Sequence, residues 1–404
     1  MNGRLALGFG LTRALGSIFI DRVEEAFGRA LPRTREQLVG SGVVDSLLNE
    51  ASPLDGRELP GISGTRLSGV DFESSNCTNF LIDLEFDEAE CGETALPKTA
   101  YAKLPCGEVG TRAFANAVGF WDTELTFCRS IASRVPIRVP KVYAAARRGA
   151  RFVLLLENLH EVEGSRLFIN RDMAAGTTPE RARMCIKTFA ELHAAFSGLG
   201  EGEREAIFPI RLHTYLAPGG SEKSRALNAS AIAPAHKAAP DIFTATHVDL
   251  CNRAIEKWDL LMEAWYSGPL TLIHGDSHLA NCFEYPTPDG PQMGMIDFQG
   301  MQWCKGIRDV QYFLINSLSP EVLKQHEEEL IDYYISALAE NGIALGRDDA
   351  VSQYRGYAFQ TLMVAVVSIG LGSLTERQET VRTVLERSVA AIDRLGFDEW
   401  LSAL

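Results

Sequence analysis

The spacing of apolar positions divides the chain into a strand-rich part and a helical part. Residues 65–104 contain short β-prone runs separated by polar turns, and the last run alternates around Tyr101 and Lys103. From Thr178 onward, apolar residues recur every three or four positions, which is the period of a helix with one buried face. We therefore predict a small antiparallel sheet followed by a mainly helical region. The predicted strands of the first part are residues 65–69, 78–86, 99–104 and 151–156.

Helix signals are clear in most of the second part. Thr178 has the side chain of an N-cap, and Pro179 and Glu180 follow it as a first turn. Residues 197–247 are rich in Ala, Pro, Gly and Ser, and we predict a loop or a variable insertion there. The predicted helices are residues 112–132, 178–196, 248–266, 310–318, 320–341, 348–371 and 376–395.

The amino-terminal 60 residues have a different pattern and are predicted to be a helical extension. Residues 13–29 have helical periodicity, and Thr34 is a candidate cap for a second helix that ends at Leu48. A cluster of Pro and Gly at residues 53–64 indicates a boundary. The expected regions are residues 1–60, 61–158 and 159–404.

Composition indicates a globular protein, and the net charge argues against one class of binding partner. The 404 residues are enough for two lobes with separate cores, and 46% apolar and 23% charged residues are ordinary for a globular protein. The formal net charge of −14 argues against nucleic acid as a partner.

Cysteine spacing and one apolar run indicate the cellular compartment and the relation to membranes. Eight cysteines are scattered without a CxxC pair, which favours a reducing compartment and hence the cytoplasm. Residues 5–20 are fairly apolar, but Arg13 interrupts them, and the run is too short for a membrane span. We expect an amphipathic helix and no stable membrane insertion, with contact to a membrane surface as the alternative.

Residues 272–308 carry the strongest chemical signal. They contain His274, Asp276, His278, Asn281 and Asp297. One carboxylate lies in a predicted loop, an amide follows five residues later, and a second carboxylate stands near the end of a predicted strand. The predicted strands of this stretch are residues 270–273, 281–285 and 294–298.

This set of side chains suits phosphoryl transfer. Asp276 is placed to accept the proton of an attacking hydroxyl, and Asn281 and Asp297 offer hard oxygen ligands for Mg²⁺ on ATP. Three other interpretations remain open. The residues are also common turn formers and caps; His274, Asp276 and His278 have the composition of a zinc site; and Asp276 with Asp297 resembles the acid–base pair of a hydrolase.

A lysine and a glutamate in the first part are candidates for nucleotide binding. Lys103 lies near the end of an apolar strand, and Glu124 follows 21 residues later on a predicted helix. A helical glutamate paired with a strand lysine would direct the ammonium group toward phosphates. A solvated edge lysine and a surface glutamate are the alternatives.

Two further segments are weaker candidates for the nucleotide site. The main-chain groups of Glu157 and Leu159, after the buried strand at residues 151–156, are predicted to bond an adenine edge. Ser74, Ser75 and Asn76 form a polar turn that would aim N–H groups at phosphates, although a plain hairpin turn is equally compatible. We interpret His193 as a hydrogen-bonded core residue.

Together these motifs resemble the protein-kinase-like small-molecule phosphotransferases, a superfamily that includes aminoglycoside phosphotransferases and choline kinases. The resemblance rests on Lys103, Glu124, the connector LLENL, the segment HGDSHLAN and the segment IDFQ. The segments GIRDVQYFL and EELIDYYISAL are most similar to the ecdysteroid-kinase-like branch.

The resemblance implies a bilobal α+β kinase-like fold. A small antiparallel sheet with one key helix would form the nucleotide-binding lobe, at residues 61–158. A larger, mainly helical lobe with the catalytic loop would follow, at residues 159–404. The resemblance also implies roles for single residues. Asp276 would be the catalytic base, and Asn281 and Asp297 would be metal ligands. Lys103 would bind the phosphates with Glu124 as its partner, and His274 and Asp309 would support the catalytic loop.

The sequence departs from better-known relatives in two places. Gly275 stands where protein kinases have arginine, and no activation segment is apparent, so a protein substrate is disfavoured. Gln299 departs from the choline-kinase pattern, so a quaternary ammonium substrate is not favoured. The expected activity is ATP- and Mg²⁺-dependent phosphorylation of a hydroxyl on a small molecule. A nucleotide-binding protein of this fold without transferase activity is the main alternative, and the acceptor stays open.

Overall fold

The computed structural model describes residues 30–50, 61–72, 76–86, 97–372 and 378–404, together with residues 16, 20 and 23–25. The features predicted at residues 5–20, 13–29 and 53–64 therefore lie wholly or mostly outside the described residues. The chain folds into two compact units. The sheet unit comprises the described residues up to Arg134 and Val139–Ser165, and the helical unit comprises Val135–Arg138 and Arg166–Leu404.

The sheet unit is built on five antiparallel strands in the order β1-β2-β3-β5-β4. Its strands are β1 Ile62–Phe72, β2 Cys77–Phe86, β3 Thr99–Pro105, β4 Val142–Arg148 and β5 Arg151–Glu157. Its helices are α1 Arg35–Leu38, α2 Val43–Asn49, α3 Val109–Val118 and α4 Phe120–Thr126, followed by the π-helical turn Phe127–Ile131 and, after β5, the 3₁₀ turn Leu159–Glu161.

Strand β5 explains why the sheet needs helices on both faces. Phe152 and Leu154 pack with Trp121 of α4, whereas Val153 and Leu155 pack with apolar residues of α1 and α2. Successive side chains of a strand point to opposite faces, so a continuous apolar run is buried on both sides. The predicted α+β class is confirmed, and helices α1 and α2 contribute to the core of this unit.

Local breaks shorten two predicted helices in the sheet unit. The helix predicted at residues 112–132 is divided into α3, α4 and the π-helical turn, with Gly119 as the cap between α3 and α4. The second amino-terminal helix is also two pieces, although Thr34 is confirmed as the N-cap of α1. Strand β4 was not predicted because Val142–Arg148 contains three alanines, which are depleted in strands.

The helical unit contains two small sheets, one of β7 and β10 and the other in the order β6-β8-β9. Its strands are β6 Arg166–Leu167, β7 Thr271–Ile273, β8 Cys282–Thr287, β9 Gly290–Met295 and β10 Gln302–Cys304. Its helices are α5 Asn170–Ala175, α6 Pro179–Ala195, α7 Glu201–Ile207, α8 Gly220–Ala238, α9 Ala245–Glu256, α10 Trp258–Tyr266, α11 Ile307–Ser317, α12 Pro320–Glu340, α13 Arg347–Leu371, α14 Gln378–Arg394 and α15 Phe397–Ser402.

The prediction of a loop at residues 197–247 was wrong, because α7, α8 and the start of α9 lie there. The small residues of α8 let another helix approach its backbone closely. A Cβ atom on Gly370 of α13 would lie 2.5 Å from the carbonyl oxygen of Ala231 in α8. The Ala- and Ser-rich composition therefore reflects close helix packing, not a turn. The helix predicted at residues 178–196 is confirmed as α6, with the Thr178 side chain accepting from the N–H of Arg181.

Within the described ranges, no helix combines the length and the apolar character that a membrane span requires. The seven cysteines in this part of the chain are free thiols.

Candidate active site

The β8–β9 hairpin brings Asn281 and Asp297 to the same end of a small sheet. Cys282 pairs with Met295, and the N–H of Ile296 donates to the carbonyl of Asn281 at 2.9 Å. Asn281 immediately precedes β8, and Asp297 lies two residues beyond β9. In this antiparallel register, the residue just before β8 and the residues just after β9 lie next to each other. The two predicted metal ligands are therefore at the same end of the hairpin.

Asp297 has an unusual backbone conformation. Its φ is 61° and its ψ is 65°, and it is the one non-glycine residue with positive φ among the residues that the structure describes. Asp tolerates the left-handed region better than most residues, but the conformation still costs about 1–3 kcal/mol. Such strain is typical of functional positions where the neighbouring structure holds a side chain in place.

His274 contacts the residues on both sides of Asp297. Its Nδ1 accepts from the N–H of Asp276 at 3.2 Å, so its Nε2 carries the proton and donates to the carbonyl of Ile296 at 2.8 Å. Its ring also contacts that of Phe298, with centroids 4.5 Å apart. Both ring nitrogens are therefore committed to backbone groups. This geometry suits a supporting role and leaves no lone pair for zinc.

The carboxylate of Asp309, at the start of α11, fixes the backbone of the loop at His274 and Gly275. Its Oδ2 accepts from the N–H of His274 at 2.7 Å, and its Oδ1 accepts from the N–H of Gly275 at 2.9 Å. Oδ2 also lies 3.2 Å from Nε2 of His193. Burial acts to raise the pKa of Asp309, but the hydrogen bond and charge of His193 lower it to about 2.

His193 is buried, as the sequence predicted, and links Asp309 to Tyr334. Its Nδ1 lies 2.9 Å from the Tyr334 hydroxyl, and its backbone carbonyl accepts from the Thr271 hydroxyl at 2.6 Å. Strand β7 and helices α6, α11 and α12 are thereby joined behind the loop. The role of His193 as a hydrogen-bonded core histidine is confirmed.

Gly275 is required by the backbone that surrounds it. Its φ is +81°, and a Cβ atom here would lie 1.9 Å from the carbonyl oxygen of Gly300. Its own carbonyl accepts from Nη1 of Arg308 at 2.5 Å. No larger residue fits this position, which explains physically why the chain lacks the arginine of protein kinases here.

Asp276 lies next to this anchored backbone and carries the candidate catalytic carboxylate. Its Oδ1 accepts from the Tyr312 hydroxyl at 3.1 Å, and its Oδ2 accepts from Nδ2 of Asn281 at 3.2 Å. Burial acts to raise its pKa, but His278, His274 and the Tyr312 hydroxyl outweigh burial, and the pKa lies below its ordinary value. Asp276 is therefore ionised at neutral pH and has the charge of a proton acceptor.

The amide of Asn281 is oriented by the same loop. Nδ2 donates to the carbonyl of Asp276 at 2.8 Å, which directs the nitrogen toward the loop. Within the described part of the chain, the amide oxygen Oδ1 makes no hydrogen bond. An amide oxygen beside the carboxylate of Asp297 is a donor set that Mg²⁺ prefers. The residues present therefore fit a hard divalent cation.

His278 lies close to these groups. Its Nε2 is 3.6 Å from Oδ1 of Asp276 and 3.4 Å from Nδ2 of Asn281. Burial lowers its pKa below the ordinary value despite the nearby charges of Asp276 and Asp297, so the imidazole is neutral at neutral pH. Over the ranges that the structure describes, no group of three His, Cys, Asp or Glu residues is arranged to hold a metal ion.

In the sheet unit, the predicted pair of Lys103 and Glu124 is confirmed. Nζ of Lys103 lies 2.8 Å from Oε1 and 2.7 Å from Oε2 of Glu124, and both side chains are about 4% exposed. Ala102 and Leu104 belong to the core with α1 and α2. Because alternate side chains of a strand point to opposite faces, Lys103 points to the other face, where α4 packs. The alternatives of a solvated lysine and a surface glutamate do not hold.

The connector after β5 is also ordered by hydrogen bonds. The N–H of Glu157 donates to the carbonyl of Lys141 at 2.8 Å and is already used, whereas the N–H of Leu159 has no acceptor in the described chain. The side chain of Asn158 donates to the Thr99 hydroxyl at 2.7 Å. Of the two predicted adenine contacts, Leu159 thus keeps a donor, whereas the N–H of Glu157 is bonded to Lys141.

The polar turn between β1 and β2 is described only in part. Ser74 and Ser75 lie outside the described residues. Asn76 is buried, and its carbonyl accepts from the N–H of Cys106 at 3.3 Å.

Two residues of the site were not predicted from the sequence. Tyr312 contacts the carboxylate of Asp276, and Arg308 contacts the carbonyl of Gly275. A signal was present, because Arg308, Asp309 and Tyr312 are spaced as i, i+1 and i+4 and lie on neighbouring positions of one helix.

Comparisons with known proteins identify a matching family model and similar solved structures. The model of the ecdysteroid kinase-like family matches residues 133–347, which is just over half of the chain. No curated protein matches the sequence at a significant level.

Solved structures support the fold. A Ralstonia eutropha protein, provisionally assigned as an aminoglycoside phosphotransferase, has 13% identity and a TM-score of 0.51, with 87% of this chain and 97% of that chain covered. Two other similar structures have lower TM-scores. They are a Plasmodium vivax ethanolamine kinase (12% identity, 78% of each chain, TM-score 0.43) and a Streptococcus pneumoniae choline kinase (11% identity, 82% of this chain and 94% of that chain, TM-score 0.43).

Proposed function

The chain belongs to the ecdysteroid kinase-like family, and we propose that it transfers the γ-phosphoryl group of ATP to a hydroxyl group of a small molecule in a Mg²⁺-dependent reaction. The observation that carries this proposal is the arrangement of Asp276, Asn281 and Asp297. The ionised carboxylate of Asp276 is hydrogen-bonded to the amide of Asn281, and the hairpin register brings Asp297 to the same end of the sheet as Asn281.

In this proposal, Asn281 and Asp297 hold Mg²⁺ through the amide oxygen and the carboxylate. Bound Mg²⁺ supplies positive charge that neutralises the phosphate oxygens. His274 contacts Ile296 and Phe298, the residues on either side of Asp297, and so supports the backbone there without the ion. A backbone supported before the nucleotide binds reduces the cost of binding.

Asp276 is the proton acceptor of the proposed reaction. As the acceptor oxygen forms its bond to the γ-phosphorus, the bond from that phosphorus to the β–γ bridging oxygen breaks and ADP leaves. The hydroxyl proton passes to the carboxylate of Asp276. Because phosphoryl transfer depends mainly on positioning and charge, the orientation of this carboxylate matters as much as its basicity.

From the sheet unit, Lys103 provides the ammonium group that binds the nucleotide phosphates. Glu124 keeps the charge and direction of that group through a buried ion pair. Main-chain groups of Glu157 and Leu159 are the proposed contacts to the adenine edge. Ser74, Ser75 and Asn76 remain proposed as the phosphate-contacting turn.

The proposed partner is a small hydroxylated metabolite. Nucleic acid is not part of the proposal, because the net charge of −14 would repel a polyanion. A cytoplasmic location is proposed, since ATP is supplied there and the seven described cysteines are free thiols. No stable membrane insertion is proposed.

A screen of hydroxylated metabolites for ATP consumption tests this function. Sugars, sterol-like alcohols, amino alcohols and aminoglycosides would each be incubated with the full chain, ATP and Mg²⁺, and ADP formation would be followed. We expect at least one acceptor to raise ADP formation above the acceptor-free rate, and EDTA to abolish the increase. Tight Mg²⁺·ATP binding without acceptor-dependent turnover across the panel would contradict the proposal.

A further inference from the structure

We propose that Tyr312 positions the carboxylate of Asp276, so that the orientation of the catalytic base is set by helix α11 as well as by the catalytic loop. This inference rests on the proposed function for its kinetic consequence. The structural part of the inference, that the Tyr312 hydroxyl orients the Asp276 carboxylate, does not depend on the proposed function.

The contact is direct and specific. The Tyr312 hydroxyl donates to Oδ1 of Asp276 at 3.1 Å, and the tyrosine is 5% exposed. The second oxygen, Oδ2, accepts from Asn281 at 3.2 Å. His278 is 3.6 Å from Oδ1, which is beyond ordinary hydrogen-bond distance. Two donors from two different elements therefore fix the plane of the carboxylate.

Tyr312 is itself held rigidly. Every residue of α11, Ile307–Ser317, is buried. The Arg308 guanidinium lies over the Tyr312 ring, 4.6 Å from its centroid, and its Nη1 donates to the carbonyl of Gly275. The same helix thus anchors the backbone before Asp276, through Arg308 and Asp309, and the side chain of Asp276, through Tyr312.

The phenol stays a donor over the whole physiological pH range. Burial and the charge of Asp276 raise the pKa of Tyr312 well above its ordinary value. A permanent donor on Oδ1 restrains rotation of the carboxylate without taking part in proton transfer. Tyr312 is therefore a positioning residue.

The loss of this donor should lower turnover more than binding. Small misplacements of a reacting group cost about 10²-fold in rate, so we expect Tyr312→Phe to lower kcat by roughly 10- to 100-fold. The KM values for ATP and for the acceptor should stay within about two-fold, because phosphate and metal binding use other side chains. The test compares kcat and both KM values with the best acceptor from the screen.

Tyr354→Phe is the matched control. The Tyr354 hydroxyl also donates to a buried carboxylate, at 2.8 Å from Oε1 of Glu327, and the residue is 1% exposed. This variant loses the same type of bond within the same unit, so a purely structural effect would appear in both. We expect comparable falls in Tm and a kcat of Tyr354→Phe close to that of the wild type.

A crystal structure of Tyr312→Phe gives a readout that needs no activity. We expect the Asp276 carboxylate to rotate about χ2 or to occupy two conformers. Replacement of Tyr312 by 4-aminophenylalanine keeps the ring and restores a donor, so it should recover most of the lost kcat and the single conformer.

The outcomes separate the inference from the proposed function. Absence of transfer by the wild type would overturn the proposed function, and the crystal structure would still decide the role of Tyr312. An unchanged carboxylate plane in Tyr312→Phe, an unchanged kcat, or an equal loss of kcat in Tyr354→Phe would overturn the inference.

Discussion

At the scale of single residues, one buried carboxylate organises the site. Asp309 accepts from two consecutive backbone N–H groups of the loop that carries Asp276. The chemistry-bearing residues Asp276, Asn281 and Asp297 were predictable because hard-metal ligation and proton transfer demand those residue types. Tyr312 and Arg308 were not predicted, because their spacing from Asp309 places them on the same helix but does not show which group of the loop each contacts. Their roles depend on how α11 packs.

The two proposed metal ligands should differ in effect. Asp297→Ala removes a charged oxygen ligand, so it should weaken Mg²⁺-dependent ATP binding strongly. Asn281→Ala removes a neutral ligand and should weaken it less. Calorimetry with ATP, in the presence and absence of Mg²⁺, measures both effects. Equal ATP affinity of the wild type and Asp297→Ala in Mg²⁺ would refute the assignment of Asp297.

The Lys103–Glu124 pair should behave as one unit. Breaking a buried pair costs about 3–5 kcal/mol, so each single change should lower stability, and Lys103→Met should also lower kcat/KM heavily. The Glu124→Gln change should cost less activity, and the double variant should be little worse than Lys103→Met, because the two side chains act together.

A surface ion pair in the same unit provides the control for this comparison of single and double variants. Nε of Arg66 lies 2.8 Å from Asp83, but the arginine side chain is 69% exposed. Arg66→Met and Asp83→Asn should leave kcat/KM almost unchanged and show little coupling. Simple additivity of the losses at Lys103 and Glu124 would mean that they do not function as a pair.

At the scale of elements, regular periodicity was predictable and tertiary contacts were not. Helices α6 and α12 have N-cap side chains and first-turn prolines that the sequence displays. Helix α8 was missed because its small residues are also those of loops, and only its contact with α13 explains them. Strand β4 was missed because three of its seven residues are alanines, which have little preference for strands.

One buried histidine makes the segment between α7 and α8 sensitive to acid. Nδ1 of His213 accepts from the N–H groups of Tyr215 and Leu216, and Nε2 donates to the carbonyl of Trp303 at 2.9 Å. Burial lowers the pKa of His213 to about 4. The unfolded chain takes up this proton below about pH 6.5, but the folded chain does so only near pH 4. The stability that depends on neutral His213 is therefore complete above pH 6.5 and falls as the pH drops toward 4.

Urea unfolding at pH 7 and pH 5 measures this effect. Over that interval the wild type should lose about 2 kcal/mol through His213. His213→Gln, which cannot titrate, should lack this part of the loss. His326→Gln, at a partly exposed position on α12, should retain it. An identical pH dependence of the wild type and His213→Gln would contradict the assignment.

At the scale of the whole molecule, the described chain has two compact units with different contributions. The sheet unit holds the buried lysine–glutamate pair, and the helical unit holds the proposed base and metal ligands. The order of a strand-rich part before a helical part was predictable, because the two periodicities differ. The sequence did not identify the acceptor, because the segments beyond the catalytic motifs carry no recognisable chemistry.

The central claim is that Asp276 accepts a proton during phosphoryl transfer to a hydroxyl. The most direct test follows labelled γ-phosphoryl from ATP onto the acceptor found in the screen, for the wild type and Asp276→Asn. The asparagine keeps the shape of the side chain, so the variant should fold and bind Mg²⁺·ATP with affinity within about two-fold of the wild type. Its transfer rate should fall by about 10²- to 10⁴-fold, since general-base assistance is lost. Near-normal transfer of the label by Asp276→Asn would contradict the account.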